Sequence, residues 1–495
     1  MIESHLSLLI VVLPLLAAPI IAALPNGRTP WLVSTLVCWS VFAMACMQLI
    51  NVNTGNVISY ELGGWAPPWG IEYRIDATNA LVALIVSAIA AVTLPYALKS
   101  VASEIPKKQH SLFYAAFMLC ITGLLGIAQT GDIFNLFVFL EISSLSSYAL
   151  ISLGKQRQAL TASYQYLIMG TIGATFFLIG VGLLYAMTGT LNMMDMAQRL
   201  PALYDHRTIH TAFAFIMVGF ALKLALFPLH IWLPNAYTYA PSVVTVFLAA
   251  TATKVAVYVM LRVIFSVFGF SFIEKTPTDE LFLILCVAGI LMMSFYAIHQ
   301  HDIKRLLAYS SVAQIGYMML GVGFGSALGL TATLVHLFNH ALMKGALFMA
   351  VGALVYRVGS SRLELCSGLG KQMPWTFAAI VIGGLSLIGV PGTAGFISKW
   401  YLVLAAIEKQ NWLIVAVILV GSLLAVIYVW KIVEVLYFKP AEENNVHSSV
   451  NEAPLMILIP TWLLVLANLY FGFDTDITVG TAQQAVQLLL PGASQ

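Results

Sequence analysis

Apolar residues run in blocks of about twenty along the whole chain, and each block can cross a bilayer as a helix. Polar residues gather in short stretches between the blocks. This alternation predicts about 14 spans. They begin near Leu6, Leu32, Asn79, Ser111, Ile133, Ala162, Thr211, Val243, Leu281, Ile303, Ala327, Thr376, Trp412 and Ala453. The expected fold class is an all-α polytopic membrane protein. The first block, "MIESHLSLLIVVLPLLAAPIIAAL", lacks a positively charged start and a small-residue cleavage pattern, so it reads as a retained helix rather than a signal peptide. The longest connection, 51–78, carries "GGWAPPWGIEYRID" and is expected to be an ordered extramembrane loop. The segment "KPAEENNVHSSVNEAP" reads as a polar turn on the cytoplasmic side.

The blocks are not independent. "DIFNLFVFLEISSLSSYALI" begins at Asp132 and "DIKRLLAYSSVAQIGYMML" at Asp302. "LTASYQYLIMG" from Leu160 matches "LTATLVHLFNH" from Leu330, and "FALKLALFP" ending at Pro228 is similar to "GGLSLIGVP" ending at Pro391. Five spans separate the copies, and an odd number turns the second copy upside down. Chance likeness between apolar segments is the competing explanation, but shared punctuation by D-I, L-T-A and Pro weighs against it. Inverted repeats with paired broken helices mark transporters whose ion site lies near the bilayer midplane. The expected organisation is 1–110 for three leading spans, 111–270 for the first five-span repeat, 281–438 for its inverted partner, and 453–495 for a last helix and tail. Pro228 and Pro391, with Gly389, Gly392 and Gly395, are expected to interrupt the two matching helices. Backbone freed in this way is tolerated only inside protein or beside a wet cavity.

Composition agrees with the pattern and removes several function classes. Of 495 residues, 60% are hydrophobic and 9% charged, against about 25% charged in soluble domains. The net charge of +2 comes without a basic cluster, so no nucleic-acid partner is expected. The five cysteines form no C-x-x-C pair, and neither a P-loop nor a dinucleotide fingerprint is present, so no cofactor and no metal are expected. Lys and Arg favour cytoplasmic loops. The set of loops holding Arg28, Lys99, Lys107, Lys108, Lys155, Arg157, Lys304, Arg305, Arg357, Arg362, Lys371 and Lys439 is richer than the set holding Arg74, Arg199, Arg207, Lys275 and Lys409. The first set is therefore expected inside the cell, with both termini outside.

Against this background the ionisable residues inside the spans stand out: Glu141, Lys223, Lys254, Lys344 and Lys399, with His230, His336 and His340 near them. Each charge costs ~2.5–3.5 kcal/mol on the insertion scale, so the five together cost on the order of 10 kcal/mol unless paired or hydrated. Burial favours the neutral form of a lysine and a nearby carboxylate favours the charged form. If their helices meet, Glu141 and Lys223 make a proton switch. Lys254 then receives the proton, His336, His340 and Lys344 relay it, and Lys399 releases it. The three relay residues, spaced i, i+4 and i+8, share one helix face over roughly 12 Å. Plainer readings exist for several. Glu141 could be only a structural partner of a lysine, and Lys254 could snorkel. His230 could cap carbonyls freed near Pro228, and the other two histidines could bond across helices. Lys431 and Glu434, at i and i+3, read as an ordinary pair.

"GDIFNLFVFLE", "LKLALFPLHIWLPNAYTYAPS", "HQHDIKRLLAYSSVAQIGYMMLG" and "LFNHALMKGALF" resemble the antiporter-like membrane subunits shared by respiratory complex I, membrane-bound hydrogenases and the Mrp cation/proton antiporters. "GGWAPPWGI" and "LYAMTGTLNMMDMAQRL" are most similar to the D-type members of the Mrp group. The resemblance implies 14 helices with two inverted five-helix repeats. It implies that Glu141 is the family's fifth-helix glutamate, Lys223 its seventh-helix partner, Lys254 the eighth-helix lysine, Lys344 the eleventh-helix position and Lys399 the terminal lysine of the twelfth. It also implies a transporter subunit rather than an enzyme, located in the cell membrane. Such a subunit couples proton movement to Na+ export among the other membrane subunits of a hetero-oligomeric complex. The alternative it implies is a proton-translocating subunit of a complex I-like oxidoreductase or hydrogenase.

Overall fold

The protein is described here from a computed structural model, which describes residues 5–53, 55–440 and 450–490. Among these, thirteen helices are long and apolar enough to cross a membrane. The pair Pro374–Ile388 and Ala394–Glu408 forms one further, interrupted crossing. That crossing is the twelfth of fourteen, and the order matches the hydropathy pattern span for span. The chain is a multi-pass membrane protein. Two elements were not anticipated. Residues 51–78 contain an antiparallel hairpin, Ile58–Glu61 paired with Glu72–Ile75. The expected tail contains a helix, Asp476–Leu489, which packs on the third and eleventh spans. The central part of the polar turn expected at "KPAEENNVHSSVNEAP" lies outside the described residues.

The repeat survives in detail. Asp132 caps the fifth span by accepting from the Asn135 amide at 2.7 Å, and Asp302 caps the tenth by accepting from the Arg305 amide at 3.1 Å. Each aspartate forms a β-bridge, Asp132 with Asn192 and Asp302 with Arg362. The Ser163 hydroxyl donates to the Tyr148 carbonyl and the Thr333 hydroxyl to the Met318 carbonyl. Gln158–Thr188 and Ala327–Val358 both end on a left-handed glycine, Gly189 and Gly359. Apart from the helix starts, every second-copy residue here lies 170 positions after its counterpart. The first bridge sits by the hairpin, where Gly131 donates to the Glu72 carbonyl and the Asn192 side chain to its carboxylate. The second borders a cavity lined by Gln156 and Thr238, from loops of the opposite parity. The copies are therefore inverted.

The broken helices differ from expectation in mechanism. The seventh span, Arg207–Leu224, stops before Pro228, because Ala225 takes a left-handed conformation at φ 60°. The first half of the twelfth stops before Pro391, on Gly389 at φ 91°. The prolines lie in the loops that follow these turning points, before the chain becomes helical again at Trp232 and Ala394; they do not end the helices. A close turn then joins the two halves of the twelfth span. A Cβ on Gly395 would collide with the Ser386 carbonyl oxygen, so only glycine fits. A third break was not anticipated. The eighth span parts at Thr251 into Ser242–Ala250 and Ala252–Leu261, with Thr251 at φ −126° and ψ −58°. No proline or glycine marks it in the sequence.

At the hairpin end, Asp76 ties elements together. It caps the third span, Ala77–Glu104, in a capping box with Asn79. Both its carboxylate oxygens accept from Arg262 of the eighth span, at 2.7 and 2.9 Å. Burial raises the Asp76 carboxyl, but the guanidinium and the two capping amides outweigh it and hold the group below its usual range. A carboxylate held low keeps its stabilising charge until the pH falls through that lowered value, so the pair persists in mild acid. Asp76→Asn leaves a buried guanidinium unpaired and is expected to cost about 3–5 kcal/mol. Thermal unfolding of the full chain in detergent checks this, with Lys275→Gln, an exposed cation, as the control expected to change little.

Candidate functional site

The ionisable residues singled out in the sequence converge inside the bundle. Lys223 ends the last turn of the seventh span, and its ammonium lies 3.7 Å from the Glu141 carboxylate of the fifth span, Ile133–Ser152. It also donates to the Ser144 hydroxyl at 2.8 Å. Close helix approach makes this reach possible. A Cβ on Gly219 would lie 2.7 Å from the Gly173 carbonyl oxygen, so the sixth and seventh spans touch backbone to backbone one turn before Lys223.

A cavity of about 40 Å³ adjoins the pair. Ser143, Ser144, Ser147, Tyr166 and Lys223 line one side, and Ala252, Val255 and Ala256 of the broken eighth span line the other. One water needs roughly 10–15 Å³ on this measure, so the space suits two or three. Lys254 lies on that same eighth-span segment. It is fully buried and does not snorkel. Its ammonium donates to the Ala249 carbonyl, at the end of the half-helix Ser242–Ala250.

The relay residues occupy the eleventh span, Ala327–Val358, and are wholly buried. His336 and His340 stack with ring centroids 5.8 Å apart. His336 Nδ1 shares a hydrogen bond with the Ser398 hydroxyl at 2.7 Å, so this ring does bond across helices. His340 has no protein partner on either nitrogen, and His336 Nε2 has none. Lys254 and Lys344 both lie within electrostatic reach of His340. Lys344 donates to the Ser310 hydroxyl and the Leu307 carbonyl, at 2.5 and 2.9 Å. Lys399 closes the line. Its ammonium donates to the Leu387 and Ile388 carbonyls at 3.0 and 2.8 Å, and to the Ser422 hydroxyl at 3.1 Å. It stands 5.0 Å from the centre of the Tyr317 ring.

Three residues fall elsewhere. His230 sits in the loop after the seventh-span break, stacked on Phe227, with Nδ1 lacking a protein partner. The carbonyl freed by that break at Leu222 is satisfied instead by the Trp232 indole N–H at 2.9 Å. Pro228 and Pro391 are exposed. Two readings need correction. Lys431 does not pair with Glu434; it donates to the Ile298 and Gln300 carbonyls and so caps the end of the ninth span. Lys304, placed among the loop cations, is buried at the start of the tenth span against the Ala240 carbonyl, in reach of Glu104. Sequence reasoning also missed the hydroxyl partners Ser144, Ser310, Ser398 and Ser422. The only signal for them was serine in otherwise apolar helix.

With this geometry in hand, comparison with known proteins is informative. A family model described as NADH:quinone oxidoreductase/Mrp antiporter, transmembrane, matches residues 130–425, from the cap of the fifth span into the thirteenth. A protein of Desulforudis audaxviator named as the N subunit of an NADH-quinone oxidoreductase is 40% identical over 99% of this chain and 100% of its own. The D-type subunit of the Na+/H+ antiporter of Alkalihalophilus pseudofirmus is 32% identical, covering 91% of this chain and 92% of its own. A chain in the structure of the Mrp complex of a Dietzia species superposes with a TM-score of 0.91 at 25% identity, over 100% of this chain and 98% of that one. The chain thus belongs to the NADH:quinone oxidoreductase/Mrp antiporter family of transmembrane subunits, and the buried lysine line runs through the region that defines that membership.

Proposed function

We propose that this chain is the proton-conducting membrane subunit of a multisubunit monovalent cation/proton antiporter, with Na+ as the exchanged cation. The observation that carries the reading is the Glu141–Lys223 pair beside a water-sized cavity, whose far wall is formed by Ala252, Val255 and Ala256 of the half-helix that also carries Lys254. In this mechanism the Glu141 carboxylate holds Lys223 charged. When the pair separates, the ammonium loses its counter-charge in a low-dielectric site and gives up its proton. Water in the cavity passes the proton to the Lys254 side. His336, His340 and Lys344 relay it, and Lys399 delivers it at the break in the twelfth span. His230 stays auxiliary, beside the seventh-span break. The orphaned nitrogens of His340 favour water as the link between Lys254 and Lys344.

The reading extends to partners and orientation. Glu141 shares a helix face with the exposed Phe134, Val138 and Leu145, and its side chain is 27% exposed. A carboxylate facing hydrocarbon is costly, so another membrane subunit covers this face. The loop end rich in Lys and Arg faces the cytoplasm, which puts both termini outside. A second reading has a specific observation in its favour, the relative named for a quinone oxidoreductase. There the same proton line serves a redox-driven pump.

Everted vesicles carrying the whole complex separate the two. Antiport predicts that added Na+ collapses an imposed pH gradient with no electron donor or quinone present; a pump predicts no response until electrons flow. Glu141→Ala is expected to abolish the exchange while the complex still assembles, and wild-type exchange by that variant would refute the proposed role. Ala256→Leu adds bulk to the cavity without touching any charge. It is expected to slow exchange on the order of tenfold, the cost of one lost link of about 1.4 kcal/mol. An unchanged rate would show that protons do not pass through this cavity.

A further inference from the structure

A second cavity lies far from the lysine line, at the end of the molecule where Lys and Arg concentrate. Its volume is about 410 Å³. Three cations border it: Arg28 between the first two spans, Lys99 near the end of the third and Lys107 at the start of the fourth. His110 also lines it, and no carboxylate does. Among the described residues none of the three cations joins an ion pair. The one acidic side chain nearby in sequence, Glu104, is engaged elsewhere, accepting from the Ser242 amide and hydroxyl at 3.0 and 3.2 Å.

Two further features suit an anion. The helix Thr29–Val52 begins at this cavity without a side-chain cap, whereas the start of His110–Gln129 is closed by Asn26, whose side chain accepts from the Ser111 amide at 3.0 Å. That uncapped start presents free amides and the positive end of the helix dipole. The rest of the lining is apolar, from Leu98, Val101, Ala102 and Tyr114. Soluble anions gain nothing from such a wall, whereas an acyl chain beside a phosphate does. Basic pockets between spans on the cytoplasmic side are the usual seats of anionic lipid headgroups.

We propose that the cavity bordered by Arg28, Lys99 and Lys107 is a binding site for the phosphodiester headgroup of an anionic phospholipid of the inner leaflet. The lipid bridges the three leading spans, which lie outside both repeats, and the fourth span, with which the first repeat begins, and so steadies the leading spans against that repeat. It takes no part in proton transfer.

Native mass spectrometry of the full chain in detergent tests the site, with phosphatidylglycerol, cardiolipin, phosphatidylethanolamine or inorganic phosphate added separately. Wild type is expected to retain either anionic lipid and to lose the zwitterionic one. The triple variant Arg28→Gln, Lys99→Gln, Lys107→Gln is expected to weaken anionic binding about a hundredfold, at about fivefold per cation. The charge-preserving triple Arg28→Lys, Lys99→Arg, Lys107→Arg is expected to retain it, which separates lost charge from lost fold. If the glutamine triple does not fold, each single variant is expected to show its fivefold share. Equal binding of phosphatidylethanolamine, undiminished binding by the glutamine variants, or displacement of the lipid by millimolar inorganic phosphate would each overturn the proposal.

Discussion

Ammonium groups inside a membrane bundle must be solvated by something, and here there are too few carboxylates to do it. Glu141 serves Lys223 alone. The other lysines are met by backbone carbonyls and serine hydroxyls. Lys254 takes the Ala249 carbonyl, near the end of the half-helix Ser242–Ala250. Lys399 takes the Leu387 and Ile388 carbonyls, the last of the half-helix Pro374–Ile388. Helix C-termini offer unsatisfied carbonyls and the negative end of the dipole. The breaks in the eighth and twelfth spans are thus solvation shells for cations and answer this one requirement, while the seventh-span break is closed by the Trp232 indole.

The same arrangement bears on transport. A carbonyl shell stabilises an ammonium less than a full counter-charge does, so in the proposed mechanism Lys254, Lys344 and Lys399 can pass a proton on. Glu141 is the exception, and it is also the one charged member of the line with a side chain open to the surface. A partner subunit that presses on that face can alter the distance to Lys223. The lysines and histidines of the line are buried within this one chain.

Most of the fold was legible because a bilayer imposes a length and an apolarity on every crossing. The fourteen spans and the inversion could be read from block spacing and from repeated D-I, L-T-A and Pro. Glu141, the four lysines and the paired histidines were legible for the same reason, since charge in an apolar helix is conspicuous. The break at Thr251 was not, because its backbone turn uses an ordinary threonine rather than glycine or proline. The hydroxyl partners were also hidden, since a serine in a membrane helix usually bonds its own carbonyl four residues back, as Ser147 does to Ser143. Lys304 misled for a different reason. It sits one residue inside the tenth span, where sequence cannot tell a loop cation from one folded inward. The turning points at Ala225 and Gly389 precede the prolines that advertised them.

The central claim is that Glu141 and Lys223 act as one switch. It is tested most directly by a double-mutant cycle on cation-driven proton flux in vesicles. The partially active substitutions Glu141→Asp and Lys223→Arg, singly and together, keep a rate measurable. Residues that share one step couple, while independent ones add. The account predicts that the double variant is little slower than the slower single one. If the logarithms of the two rate losses simply sum, the carboxylate and the ammonium work separately, and the switch is contradicted.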